Sequence, residues 1–171
     1  VPTGSGGLSN PGQMLLTGSG TLLVASRGNN AVLEFNLTTG AFVRQFVASG
    51  AGGMASPFGL AWGPSGNLFV SAGPGDQVFE FNGVSGAFVR IMVPAAANGG
   101  LSGARGLLFN ADGTLLVASF NTDQVKQYDG TTGAFIRDWL VTGLPVDGPW
   151  CLRRGRDGMV YISRNLDPAD T

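Results

Sequence analysis

Histidine is absent from this chain. That gap removes Ser-His-Asp and Cys-His nucleophile systems, imidazole metal ligands and histidine acid–base catalysis within these residues. Cysteine occurs once, at Cys151, which excludes an internal disulfide. Its setting, Pro149-Trp-Cys-Leu152, predicts a buried structural thiol rather than a nucleophile. Charge is scarce at 12%, and ten basic against eleven acidic residues leave a net charge of −1 with no Lys/Arg run. Nothing here makes an electrostatic footprint for nucleic acid or an anionic membrane surface. No segment approaches the roughly 20 consecutive apolar residues of a membrane span. Walker-type Gly-Lys-Ser and post-strand dinucleotide glycine patterns are also missing. Asp112-Gly113 and Asp157-Gly158 are tight-turn pairs without the spaced carboxylates of a calcium loop. The first residue is Val1 rather than Met, so the lack of a signal peptide carries no information.

Repetition is what the chain has in abundance. Gly-Ala-Phe-Val-Arg at Gly40–Arg44 returns at Gly86–Arg90 and, with Ile for Val, at Gly133–Arg137, at intervals of 46 and 47 residues. Gly20, Gly66, Gly113 and Gly158 form a second series at 46, 47 and 45 residues, each just ahead of a short apolar run. A period of this length is the mark of a repeat architecture. The runs Thr21-Leu-Leu-Val-Ala-Ser26, Asn67-Leu-Phe-Val-Ser-Ala72, Thr114-Leu-Leu-Val-Ala-Ser119 and Met159-Val-Tyr-Ile-Ser-Arg164 are short, glycine-bounded and β-prone, which favours strands.

In register, each unit offers four strands. In the second unit these are Phe58–Trp62, Leu68–Ala72, Gln77–Phe81 and Ala87–Val93, joined by turns such as Gly63-Pro-Ser-Gly66 and Asn82-Gly-Val-Ser-Gly86. Tight turns between successive strands predict an antiparallel meander. Such a sheet is apolar on both faces and buries them by stacking copies around an axis. The expected fold class is therefore an all-β propeller of four-stranded antiparallel blades, as a single partial propeller over 1–171. The blades fall at about 10–50, 56–97 and 103–143, with a half-blade at 149–171. With 29 glycines, nine prolines and no stretch of good helix formers, a βαβ fold lacks its crossover helix.

These residues carry a resemblance. Pro57-Phe-Gly-Leu-Ala-Trp-Gly-Pro-Ser-Gly-Asn-Leu-Phe-Val70, with Asp76-Gln-Val-Phe-Glu-Phe81 and Ser85-Gly-Ala-Phe88, resembles repeats of the NHL type and the related propellers typified by streptogramin lyase and the SMP-30/gluconolactonase group. The resemblance spans nearly the whole chain and is specific for the blade, not for an activity. It implies a ring larger than this chain, of six or seven blades. Val1–Leu8 aligns with Val93–Leu101, which predicts blade-like sequence upstream, and the last unit stops before its third and fourth strands. Two readings of the resulting three and a half blades stand: a fragment of a longer ring, or half-rings that complete one another by self-association.

The loops after the second strand vary between units, and variation on a fixed scaffold is how binding surfaces are made. They read Arg27-Gly-Asn-Asn30, Gly73-Pro-Gly-Asp76, Phe120-Asn-Thr-Asp123 and Arg164-Asn-Leu-Asp167. Asn30, Asp76, Asp123 and Asp167 recur just before the third strand, either as Asx residues that bond their own backbone to set the turn or as oxygen donors around the propeller mouth. SMP-30-type enzymes hold a divalent cation there with a Glu, an Asn and an Asp, but that Glu has no match in this sequence. No metal or other cofactor is therefore assigned. Arg105 and Trp150 depart from their equivalents Phe58 and Gly12 at the entry to the innermost strand, where a side chain either reaches the central channel or packs between blades. The candidate ligand-contacting residues are Arg27, Asn30, Asp76, Arg105, Asn121, Asp123, Trp150 and Asn165. Arg44, Arg90 and Arg137 repeat in register and are expected to serve the blade, and Phe42, Phe88 and Phe135 are expected in its core.

Two functions are compatible with this pattern. One is a non-catalytic interaction scaffold, bacterial and extracellular, periplasmic or on the cell surface, consistent with low charge and many Ser, Thr, Asn and Gly. Its partner would be a protein or a small-molecule or carbohydrate ligand. The other, implied by the resemblance, is a hydrolase or lyase of the lactonase or streptogramin-lyase kind with catalytic residues outside these 171. Streptogramin lyases rely on histidine, which this sequence does not supply.

Overall fold

A computed structural model describes residues 4–139 and 148–164. The first sheet is the meander β1 (Pro11–Leu16), β2 (Thr21–Ser26), β3 (Ala31–Asn36) and β4 (Phe42–Val47). The second repeats it with β5 (Pro57–Trp62), β6 (Leu68–Ala72), β7 (Gln77–Phe81) and β8 (Phe88–Val93). The third is β9 (Ala104–Phe109), β10 (Leu115–Ser119), β11 (Gln124–Tyr128) and β12 (Phe135–Asp138), and β13 (Pro149–Arg154) pairs with β14 (Val160–Arg164). All pairings are antiparallel, in strict sequence order.

First strands line up side by side: β5 lies between β1 and β9, and β13 lies beyond β9. This is the inner wall of a propeller, and it requires backbones to approach closely. Gly59 and Gly106 make that possible, because a Cβ on Gly59 would overlap the Arg105 carbonyl and one on Gly106 would stand 2.8 Å from the Leu152 amide. Ser71 stitches the same seam, accepting from the Gly59 amide at 2.8 Å and donating to the Arg105 carbonyl at 2.6 Å.

The core sits between blades rather than within them. Leu23, Ala25, Val32 and Val47 of the first sheet interlock with Leu60, Val70, Ala72 and Phe79 of the second. Phe69, Val78 and Val93 do the same against Leu107, Leu115, Val117 and Tyr128 of the third. Leu116, Ala118 and Val125 meet Leu152, with Val160 and Ile162 packed at the edge. Both faces of each middle strand are thus consumed, which is why these strands read as continuous apolar runs.

Two expectations are corrected. Phe42, Phe88 and Phe135 are not core: they are 41%, 42% and 37% exposed. They sit on the outermost strand of each blade, edge-on to Phe35, Phe81 and Tyr128, and cap the interblade turns where Gly6, Gly52 and Gly99 leave no room for a Cβ. Cys151 is half-buried rather than buried, on an innermost strand with only two strands in its sheet. The repeated arginines do serve the blade. Arg44 and Arg90 donate from Nε to Glu34 and Glu80 at 2.6 Å, and Arg137 donates to Gln127 at 2.8 Å. Among the described residues no helix is long and apolar enough to cross a membrane.

Candidate functional site

In the first three units the loop after the second strand closes on a residue in the left-handed conformation: Asn30 at φ 55°, Asp76 at φ 46° and Asp123 at φ 56°, while Asp167 lies outside the described residues. Asn and Asp tolerate that region best among residues with a Cβ. Their side chains do not turn back on their own loops, as Asx turns would. Asn30 Oδ1 accepts from the Ser56 amide at 2.8 Å, and Asp76 Oδ1 accepts from the Gly103 and Ala104 amides at 2.7 and 3.2 Å. Asp123 Oδ1 accepts from the Gly148 amide at 2.9 Å. Every one latches its blade to the entry of the next blade's innermost strand. With an oxygen of each already spent on a different seam, the three do not fit a shared cation ring. Among the described residues no three His, Cys, Asp or Glu side chains gather as a metal group.

The latches bring the second-strand loops against the innermost strands, and a cavity of about 280 Å³ opens between them. Arg27, Ser56, Gly73, Pro74, Asp76, Gly103, Arg105 and Asn121 line it. Arg27 enters from a single 3₁₀ turn, Arg27–Asn29, and donates from Nε to Ser56 Oγ at 3.3 Å. Arg105 rises from β9 into an aromatic collar, its guanidinium carbon 4.8 Å from the Phe58 ring centre, 5.4 Å from Phe120 and 5.2 Å from Trp150. Trp150 stands edge-on to Phe58 at 4.9 Å and to Phe120 at 5.5 Å, so three separate blades contribute to the collar. Asn121 reaches Ser102 Oγ at 3.2 Å.

The electrostatics are lopsided. The Arg105 guanidinium makes one hydrogen bond among the described residues, a 3.4 Å contact from Nη1 to the Ala104 carbonyl, and its Nε is buried without a partner. Burial, and then the field of Arg27, hold its pKa below the ordinary arginine value, while Asp76 opposes them. A guanidinium stays charged in proteins, so the pocket keeps two cations against one carboxylate. The π faces offset part of that cost, by about 0.5–2 kcal/mol per ring.

Five of the eight candidates therefore share one mouth: Arg27, Asp76, Arg105 and Asn121 line it and Trp150 walls Arg105. Asn30 and Asp123 lie in neighbouring seams, and Asn165 falls outside the described residues. Ser56, Phe58 and Phe120 were not singled out from the sequence. Phe58 and Phe120 carry the aromatic signal, while Ser56 has none beyond its place one residue before a strand-opening proline.

Neither a protein-family model nor a curated protein matches this chain. Solved structures do. Virginiamycin B lyase from Staphylococcus aureus superposes with a TM-score of 0.64 at 14% identity, over 87% of this chain and 47% of that one. A protein of unknown function from Bacteroides thetaiotaomicron gives 0.68 at 16%, over 91% and 45%. The extracellular domain of a hybrid two-component system from B. thetaiotaomicron gives 0.66 at 10%, over 90% and 20%. A histidine-to-alanine variant of the same lyase, solved with quinupristin, is catalytically inactive. The fold is thus that of the streptogramin-lyase-like β-propellers, and the chain spans 20–56% of the length of these proteins.

Proposed function

We propose that this chain belongs to a non-catalytic propeller, exported or displayed at a bacterial surface, that binds a ligand at its loop end. The observation that supports this reading is the mouth cavity. Its lining includes Arg105, which departs from the repeat, it is rich in hydrogen-bond donors, and its one carboxylate is engaged by two backbone amides. Likeness to the extracellular domain of a hybrid two-component system supports the exported location. The likeness to virginiamycin B lyase favours a second reading, in which a lyase or hydrolase draws its acid–base residues, histidine included, from outside these 171 residues. Incubating the protein at the full length its gene encodes with a streptogramin B and with sugar lactones, followed by chromatography beside calorimetric titration, separates the two, since a lyase or hydrolase would find its histidine only there. Heat of binding with no product supports the binding propeller; turnover overturns it in favour of the enzyme.

A further inference from the structure

The geometry points to a monoanionic, hydroxylated carboxylate, of the kind a uronic acid presents, as the ligand of the mouth cavity between Arg27 and Arg105. This rests on the cavity being a binding site at all. Two guanidiniums face one carboxylate, so the lining carries one uncompensated positive charge among the described residues, and a monoanion is its complement. Guanidinium forks match carboxylates in shape and charge. The aromatic collar fixes the Arg105 plane and keeps water from its buried side, which preorganises the fork. Around the charged pair stand a hydroxyl (Ser56), an amide (Asn121) and the Asp76 carboxylate, all able to bond neutral hydroxyls. A volume of about 280 Å³ sits at the small end of ligand pockets, suited to one sugar-sized unit rather than a peptide. The larger hollow, about 420 Å³ between the first two blades, has its cation Arg44 already paired with Glu34.

The test is calorimetric titration of the full chain with glucuronate and with glucose, at low and high salt. Glucuronate should bind at least about tenfold more tightly than glucose, as expected for a charge-assisted contact, and should weaken with salt. Arg27→Gln, at a half-buried position, should lose about tenfold in glucuronate affinity with its thermal midpoint unmoved. Arg105→Lys, which keeps the charge and loses the fork, should also weaken binding. A uronate-ended oligosaccharide run alongside distinguishes a free sugar acid, which binds as well alone, from a polysaccharide end, which gains from its neighbours. Glucose binding as tightly as glucuronate, or Arg27→Gln without effect on glucuronate, overturns the anion seat while leaving a binding propeller standing. Chemical conversion of any ligand instead overturns the non-catalytic reading, and leaves the seat to be judged by Arg27→Gln.

Discussion

The arginines at the two ends of this propeller are opposites. At the turn end Arg44 and Arg90 recur at the same place in successive blades, each on a buried carboxylate 2.6 Å away, with Glu34 and Glu80 only 6% exposed. Arg44 and Arg90 also reach across to carbonyls of the next blade, Val84 and Thr131. At the mouth Arg105 has no counterpart in the other units and Arg27 has one only in Arg164 of the last; neither has a carboxylate within ion-pair distance among the described residues, and both line one cavity. A charge that recurs with its partner holds the architecture, whereas a charge that breaks the repeat and lacks a partner is available to something else.

The comparison is broken most severely at the repeated end. Gly86 has φ 72°, and a Cβ there would overlap the Phe46 carbonyl of the previous blade. Gly86→Ala combines left-handed strain of about 1 kcal/mol or more with overpacking of about 1–3 kcal/mol. The expected loss is about 3 kcal/mol, read as a lower urea midpoint. A variant as stable as the parent would mean that the blades are not seated as closely as described.

A paired substitution addresses the arginines directly. Arg90→Ala strands Glu80, whose remaining side-chain donor is Asn67 at 2.8 Å, and should cost about 2 kcal/mol. Arg105→Met removes a half-buried cation that has no carboxylate partner among the described residues and keeps an unbranched side chain among aromatics. Its stability should move by less than about 1 kcal/mol, while mouth binding is lost. Equal destabilisation of both variants would erase the distinction between the two ends.

The same distinction explains how much could be read from the sequence. The period, the turn glycines and the apolar runs placed β2, β6 and β7 to within a residue, because each blade solves the same burial problem with the same residues. Phe42, Phe88 and Phe135 misled because apolar character in a repeat suggests core. They lie on outer strands, and the clue was the glycine that precedes each by 36 residues, Gly6, Gly52 and Gly99, over which the ring folds. Arg105 and Trp150 were legible as departures from the repeat. Their convergence with Arg27, Ser56 and Asn121 was not, since it depends on how loops from three blades meet. The latch formed by Asn30, Asp76 and Asp123 was half-legible: the left-handed turn follows from residue type, but the amide it captures belongs to another blade.

Acid should sharpen the contrast more gently. Burial pushes the Glu34 carboxyl up, but the hydrogen bond from Thr21 and the bond and charge of Arg44 more than offset it, so its pKa lies below the ordinary glutamate value. A carboxyl depressed in the folded state contributes stability above its unfolded pKa of about 4.3, and that contribution disappears as pH falls through the folded value. The turn aspartates Asp112, Asp129 and Asp157, held low by backbone amides, add a background slope in the same direction. Urea midpoints measured downward from about pH 6 should therefore fall below about pH 4.3, and Arg44→Gln should fall less steeply. Parallel curves would show that Arg44 does not set the Glu34 proton affinity.

The smallest expected effect comes from the third blade, which among the three described four-stranded blades departs from the pairing. The third blade places Gln127 where the first two carry Glu34 and Glu80, and Arg137 donates to its amide oxygen at 2.8 Å. Gln127 also donates from Nε2 to Thr114 Oγ1 at 3.0 Å, while Thr114 donates to Asp112 at 2.7 Å. In the first blade the equivalent Thr21 hydroxyl donates to Glu34 instead. Gln127→Glu would restore the repeated ion pair, and Thr114 would have to release Asp112 and turn its proton toward the new carboxylate. Lys126 beside it is already engaged by Asp138 at 2.8 Å and does not compete. The new pair gains a charge-assisted bond but gives up the exposed Thr114–Asp112 contact, so the net gain should be about 0.5 kcal/mol at neutral pH. It should vanish once the new glutamate protonates, below about pH 4. A loss of stability at neutral pH would mean that the third blade's hydrogen-bond chain through Thr114 is worth more than the ion pair its neighbours use.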